Sequence, residues 1–131
     1  MKMVKILALS ALLSVGAAAD DTLALNMSQM ENGLNNVQKG FLYNAPALIK
    51  GGVVEIQKAN ALFHNVDASK KYLPKEKQHM SNIAFNAAKR IDSASADLVK
   101  ALNKKEYTKA SQSYSEIVNA CTACHAVVRG W

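Results

Sequence analysis

Two cysteines occur in the 131-residue chain, and both fall in one short segment, Cys121-Thr122-Ala123-Cys124-His125. That spacing is the arrangement of a c-type haem attachment site. Thiols three residues apart on a helix share a face, so each can form a thioether with one vinyl group of the same haem. His125 follows Cys124 directly, and from there its imidazole nitrogen can reach the iron beneath the porphyrin.

Three other uses of such a segment make different demands. A disulfide needs Cβ atoms about 3.5–4.5 Å apart, whereas helical neighbours three apart lie about 5–6 Å apart. A thioredoxin-type redox pair needs a strand before it and a helix after it, and here the segment closes the last helical pattern of the chain. A zinc site would join Cys121, Cys124 and His125 to His64 or His79. It would need a distant histidine at the same end of the fold, and adjacent ligands at 124 and 125 suit a tetrahedron poorly. Haem c is the reading these residues favour, with a zinc-stapled helical binding protein as the remote alternative.

The elements that must carry the site read as four helices. The first spans about Thr22 to Tyr43, with Leu23, Met27, Met30, Leu34, Val37 and Phe41 stepping by four and three along one stripe. Asn44 is placed to cap a second helix with Pro46 in its first turn, running to about His64. Its inner face holds Leu48 or Ile49, Gly52, Ile56, Ala59 and Phe63. A polar connection, Asn65 to Pro74, ends in Tyr72-Leu73. The third helix runs from about Lys75 to Asn103, with Ser93 and Ser95 as weak formers at its middle. The fourth covers about Glu106 to Val128, its stripe including Tyr107, Ala110, Tyr114, Ile117, Cys121 and Cys124, and Gly130 stops it. No stretch alternates apolar and polar residues as a strand does. The expectation is an all-α, antiparallel up-down-up-down four-helix bundle forming a single domain.

The N-terminus reads as a secretory signal peptide over residues 1–19. Lys2 and Lys5 give a positive start, Ile6 to Val15 an apolar run, and Ala17-Ala18-Ala19 a cleavage pattern. The run is shorter than the roughly 20 apolar residues a spanning helix needs, so no membrane span is expected in the mature domain, 20–131, and the expected location is periplasmic. Without Lys2 and Lys5 the formal charge falls from +6 to +4. The lysines are spread along the chain with pairs only at Lys70-Lys71 and Lys104-Lys105, which is no nucleic-acid footprint. The positive balance suits solubility first and an acidic redox partner second. No paired carboxylates, activated nucleophile or phosphate loop appears, so an enzyme is not expected.

A Cys-x-x-Cys-His on the last of four helices, with a basic residue four places after the histidine, resembles the cytochrome c′ family. The matching stretch is CTACHAVVR, Cys121 to Arg129, and the helical pattern covers the rest of the mature chain. The resemblance implies one covalent haem on Cys121 and Cys124, His125 as proximal iron ligand, and Arg129 beside the proximal imidazole. In one branch of the family the distal position, on the first helix, is apolar; the iron is then five-coordinate, high-spin, and binds NO or CO. In the other it is methionine, and the protein is a low-spin electron carrier. Apolar neighbours at +3, +7 and +10 match the distal position to Met27, which has Met30, Leu34 and Val37 there; Met30 is the second choice. The expected function is single-electron transfer with redox partner proteins through a His/Met-ligated haem, the alternative being the gas-binding branch. Leu23 stands one turn before Met27 where relatives carry arginine, which leaves the propionate contacts unassigned. Gly33, Gly40, Gly51 and Gly52 fall on the two helices through which many relatives form homodimers. Phe63, Phe85 and Tyr114 are candidates to line the haem, Met80 reads as core, and His64 and His79 as solvent-facing.

Overall fold

A computed structural model of the chain describes the backbone of residues 14–130 and the side chains of residues 21–130. The expected leader falls outside these residues except for the backbone of 14–19, which is helical, and Trp131 also lies outside. Among the described residues the chain is all-helical, with no strand. The α-helices are α1 (Ser14–Leu42), α2 (Pro46–Asn60), α3 (Val66–Lys70), α4 (Ser81–Asn103) and α5 (Tyr107–His125). Short 3₁₀ turns cover Ala61–Phe63 and Lys75–Met80, and a π-helical turn covers Ala126–Gly130.

Two tight reversals pair these helices into hairpins, α1 with α2 and α4 with α5. Both reversals close with a residue in the left-handed region, Asn44 (φ 51°) and Lys105 (φ 59°). In each, the next amide reaches back five residues: Ala45 N–H donates to Gly40 C=O at 2.8 Å and Glu106 N–H to Ala101 C=O at 2.9 Å. This is the Schellman closure, which satisfies carbonyls that a helix end leaves without partners. Asn44 therefore ends α1 and does not cap α2. Ala45 holds the cap position of α2 without a side-chain hydrogen bond, and Pro46 opens the helix.

Other boundaries also move. The second helix gives way to a 3₁₀ turn at Ala61. The connection expected to be irregular holds α3, capped by Asn65, whose side chain accepts from the Ala68 amide at 2.9 Å. Residues 75–80 are 3₁₀, not α, because Lys77 N–H bonds to Pro74 C=O and Met80 sits at φ −97°, ψ 15°, outside α geometry. The α4 helix runs unbroken through Ser93 and Ser95; Ser95 is fully buried and its hydroxyl has no protein partner.

The stripe on α1 faces inward: Met30 and Val37 are buried, and Met27, Leu34 and Phe41 pack against the same core. Ile49, Val53 and Ile56 of α2, Leu98 of α4 and Ile117 of α5 complete its centre. Helix α1 approaches α2 closely because both carry glycine at the crossing. A Cβ on Gly52 would lie 2.5 Å from Gly33 O and 2.9 Å from Val37 N. Gly40 is likewise pressed against Ile49, while Gly51 is exposed with nothing near it. Three of the four glycines expected at a dimer contact are thus occupied within one chain.

One polar cluster crosses the α2–α4 contact. Asn60 is 1% exposed. Its Nδ2 donates to Ala88 C=O at 2.8 Å and to Asp92 Oδ1 at 2.9 Å, and Asp92 Oδ2 pairs with His64 Nε2 at 2.7 Å near the surface.

Candidate functional site

The buried apolar residues form two clusters. The larger contains Met30, Ile91 and Ile117; the smaller contains Phe63, Ala84 and Ala88. A cavity of about 320 Å³ lies between them, walled largely by apolar side chains. From α5 come Cys121, Cys124 and His125; from α1, Leu23, Met27, Met30, Glu31 and Leu34; from α4, Ala84, Ala87, Ala88 and Ile91. Phe63, Tyr72 and Leu73 close the side toward the α2–α4 connection.

Helical spacing explains why α5 delivers three of these groups to one place. Cys121 and Cys124 are one turn apart on the same face, and Cys121 packs on the larger cluster while Cys124 packs on the smaller. Both are free thiols. Burial raises both thiols above their usual range, and the neighbouring Cys124 raises Cys121 further. Both are therefore protonated near pH 7. Burial, with Arg129 adding to it, lowers the pKa of His125, so its imidazole is neutral near pH 7, the form that ligates a metal. After His125 the helix widens into the π turn, which brings Val128 and Arg129 into the wall before Gly130 (φ 71°) ends it.

The opposing wall holds both methionines. Met27 is half-buried and packs on both clusters, whereas Met30 is 7% exposed and belongs to the larger core. Thioether sulfur from α1 and imidazole from α5 thus share one apolar cavity with two thiols. That donor set suits a planar apolar group with a metal at its centre.

The other candidates are dispersed. Phe63 lines the cavity but Phe85 and Tyr114 do not; Lys89 Nζ lies 5.5 Å from the Phe85 ring centroid, and Tyr114 packs on Phe41 with its hydroxyl donating to Leu34 C=O at 3.4 Å. Met80, His64 and His79 are absent from the wall. With His64 held on Asp92 and His79 exposed on its 3₁₀ turn, neither histidine joins Cys121 and Cys124. Among the described residues no group of three or more His, Cys, Asp or Glu is placed to hold a bare metal ion. Sequence reasoning missed Glu31, Asn60, Tyr72 and Leu73 as wall residues. Tyr72-Leu73, an apolar pair inside a polar connection, carried the one usable signal. No protein-family model, curated protein or solved structure matches this chain.

Proposed function

We propose that the protein is a periplasmic monohaem c-type cytochrome of the cytochrome c′ type that carries single electrons, its four long helices forming an up-down-up-down bundle around the haem. The observation that carries this reading is the convergence of Cys121, Cys124, His125 and Met27, from helices at opposite ends of the chain, on one apolar cavity. Cys121 and Cys124 would hold the haem through thioethers, and His125 would ligate its iron. Bound there, haem supplies a one-electron iron couple.

The chain's own residues tune that couple. Met27 would be the second protein ligand in this reading: Met27 and Met30 both line the cavity, but Met27 is only half-buried and touches both core clusters, while Met30 is buried in the larger. A thioether ligand there would raise the potential and favour electron transfer over gas binding. Ala84, Ala87 and Ala88 present small side chains where a flat ring needs room. Met30, Ile91 and Phe63 add apolar wall that would exclude water from the group. Arg129 sets a positive charge near the imidazole. Among the described residues no helix is long and apolar enough to cross a membrane.

The test is the visible spectrum of the exported protein, oxidised, reduced, and reduced under CO. A Soret band that survives denaturation and is lost in Cys121→Ala/Cys124→Ala is the expected result. No Soret band in the wild type would end the reading.

A further inference from the structure

The link from α2 to α4 carries the densest run of cations in the chain: Lys70, Lys71, Lys75 and Lys77 fall within eight residues, against one acid, Glu76. Lys70 is paired to Asp67 at 2.8 Å, which leaves Lys71, Lys75 and Lys77 as the unneutralised charge. The same run contains Tyr72 and Leu73, which line the cavity. Lys71 and Lys75 are exposed, and Lys71 Nζ lies 4.9 Å from the Tyr72 ring centroid, so a cation is fixed on the outer side of a wall residue. We propose that this lysine run is the face on which an acidic protein partner docks to exchange electrons, an inference that rests on the haem reading above.

Electron exchange demands that the partner come close to the redox group, and Tyr72 and Leu73 belong at once to the cavity wall and to the basic run. Positive charge concentrated there steers a carboxylate-bearing surface to that edge. A protein suits the run better than an anionic membrane. Membrane-binding basic segments gather about four to eight cations; this one holds four, of which Lys70 is already paired to Asp67, and Glu76 stands between Lys75 and Lys77. Within the run itself no large apolar side chain is exposed for insertion: Tyr72 is half-buried and Leu73 is buried.

The holoprotein is tested by stopped flow with hexacyanoferrate(III), a small anionic oxidant that takes one electron from the reduced protein and leaves as hexacyanoferrate(II). Lys71→Glu/Lys75→Glu is compared with Lys104→Glu/Lys105→Glu, an equal charge change at the α4–α5 reversal, about 20 Å beyond the last α4 residue of the cavity wall. At low ionic strength the first variant should slow about three- to tenfold and the second should stay near wild type, with the difference gone in high salt. A decaglutamate peptide should inhibit the wild type and not the first variant. Lys71→Gln/Lys75→Gln, which adds no negative charge, should give an intermediate rate. Equal slowing in both double variants, or none in either, would overturn the proposal. So would binding to phosphatidylglycerol vesicles at physiological salt that only the first variant loses. A missing Soret band speaks against the haem reading; a normal Soret band with indifferent rates speaks against the docking face alone.

Discussion

Gly33 and Gly52 meet backbone to backbone: a Cβ on Gly33 would lie 2.7 Å from Gly52 O, and one on Gly52 would lie 2.5 Å from Gly33 O. The neighbouring atoms are carbonyl oxygens of two helices, which cannot rotate aside as a side chain would. Gly52→Ala should therefore destabilise the protein by about 1–3 kcal/mol by forcing α1 from α2. Gly51→Ala, where nothing lies near, should be neutral or stabilising by up to about 1 kcal/mol. Urea midpoints for the two variants check this, and equal midpoints would remove the close contact from the account.

Lys105 occupies a backbone position that favours glycine. Its φ of 59° places a Cβ-bearing residue in the left-handed region, at a cost of about 1–2 kcal/mol. Lys105→Gly should raise stability by about 0.5–1 kcal/mol net of the chain entropy glycine adds. Asn44→Gly should change less, since asparagine tolerates this region. Thermal melts of the pair distinguish the two reversals.

On the haem reading proposed above, Met27→Leu should convert a low-spin haem to a high-spin one that binds CO readily, and should lower the reduction potential. Met30→Leu should leave the spin state alone and cost under about 1.5 kcal/mol as a volume-conserving core change. The visible and near-infrared spectra of both variants decide. A shift confined to Met30→Leu would exchange the roles of the two residues.

The haem-free protein should show a pH dependence set by three cavity groups. Burial holds the Cys121 and Cys124 thiols protonated above their usual range. Alkylation by iodoacetamide should therefore follow a curve displaced above the ordinary thiol value of about 8.5. The folded state keeps protons that the unfolded chain has lost, so this contribution to stability is present below that value and falls as pH rises through it. His125 acts in the opposite sense, because burial and Arg129 lower its pKa. Its contribution is present above about pH 6.5 and is lost as the pH falls through the lowered folded value. Denaturant midpoints across this range should form a dome, and a flat profile would contradict the burial of all three groups.

Periodicity made the buried stripe of α1 legible, and Ala110 and Ile117 on α5, because burial of a helix face follows from spacing; Tyr107, read on the same α5 stripe, is 45% exposed. Ile49, Gly52, Ile56 and Ala59 were readable on α2 for the same reason. The hairpin closures were not: Asn44 was read as a cap although asparagine also suits the left-handed end of a helix, and nothing in Lys105 announces that conformation. At the site, Cys121, Cys124, His125 and Met27 could be named in advance from spacing and resemblance. Tyr72, Leu73 and Asn60 come from segments whose distance from α5 is settled only by tertiary packing. Phe85 and Tyr114 show the converse: aromatic residues at helical spacing that pack away from the cavity.

Asn60 has a consequence for how the wall is kept in place. Its neighbour Ala59 on α2, and Ala84 and Ala88 on α4, are buried small side chains, which offer little resistance to one helix sliding past another. The amide supplies that resistance. A slip of one turn would leave Nδ2 buried without Ala88 C=O or Asp92, a loss of about 1–3 kcal/mol. Asn60 thus works as an indexing pin, trading strength for a single register. Asn60→Leu should then broaden the amide signals of α2 and α4 in NMR spectra more than its modest change in melting temperature would suggest. Sharp, singly populated signals in that variant would show that the apolar contacts set the register unaided.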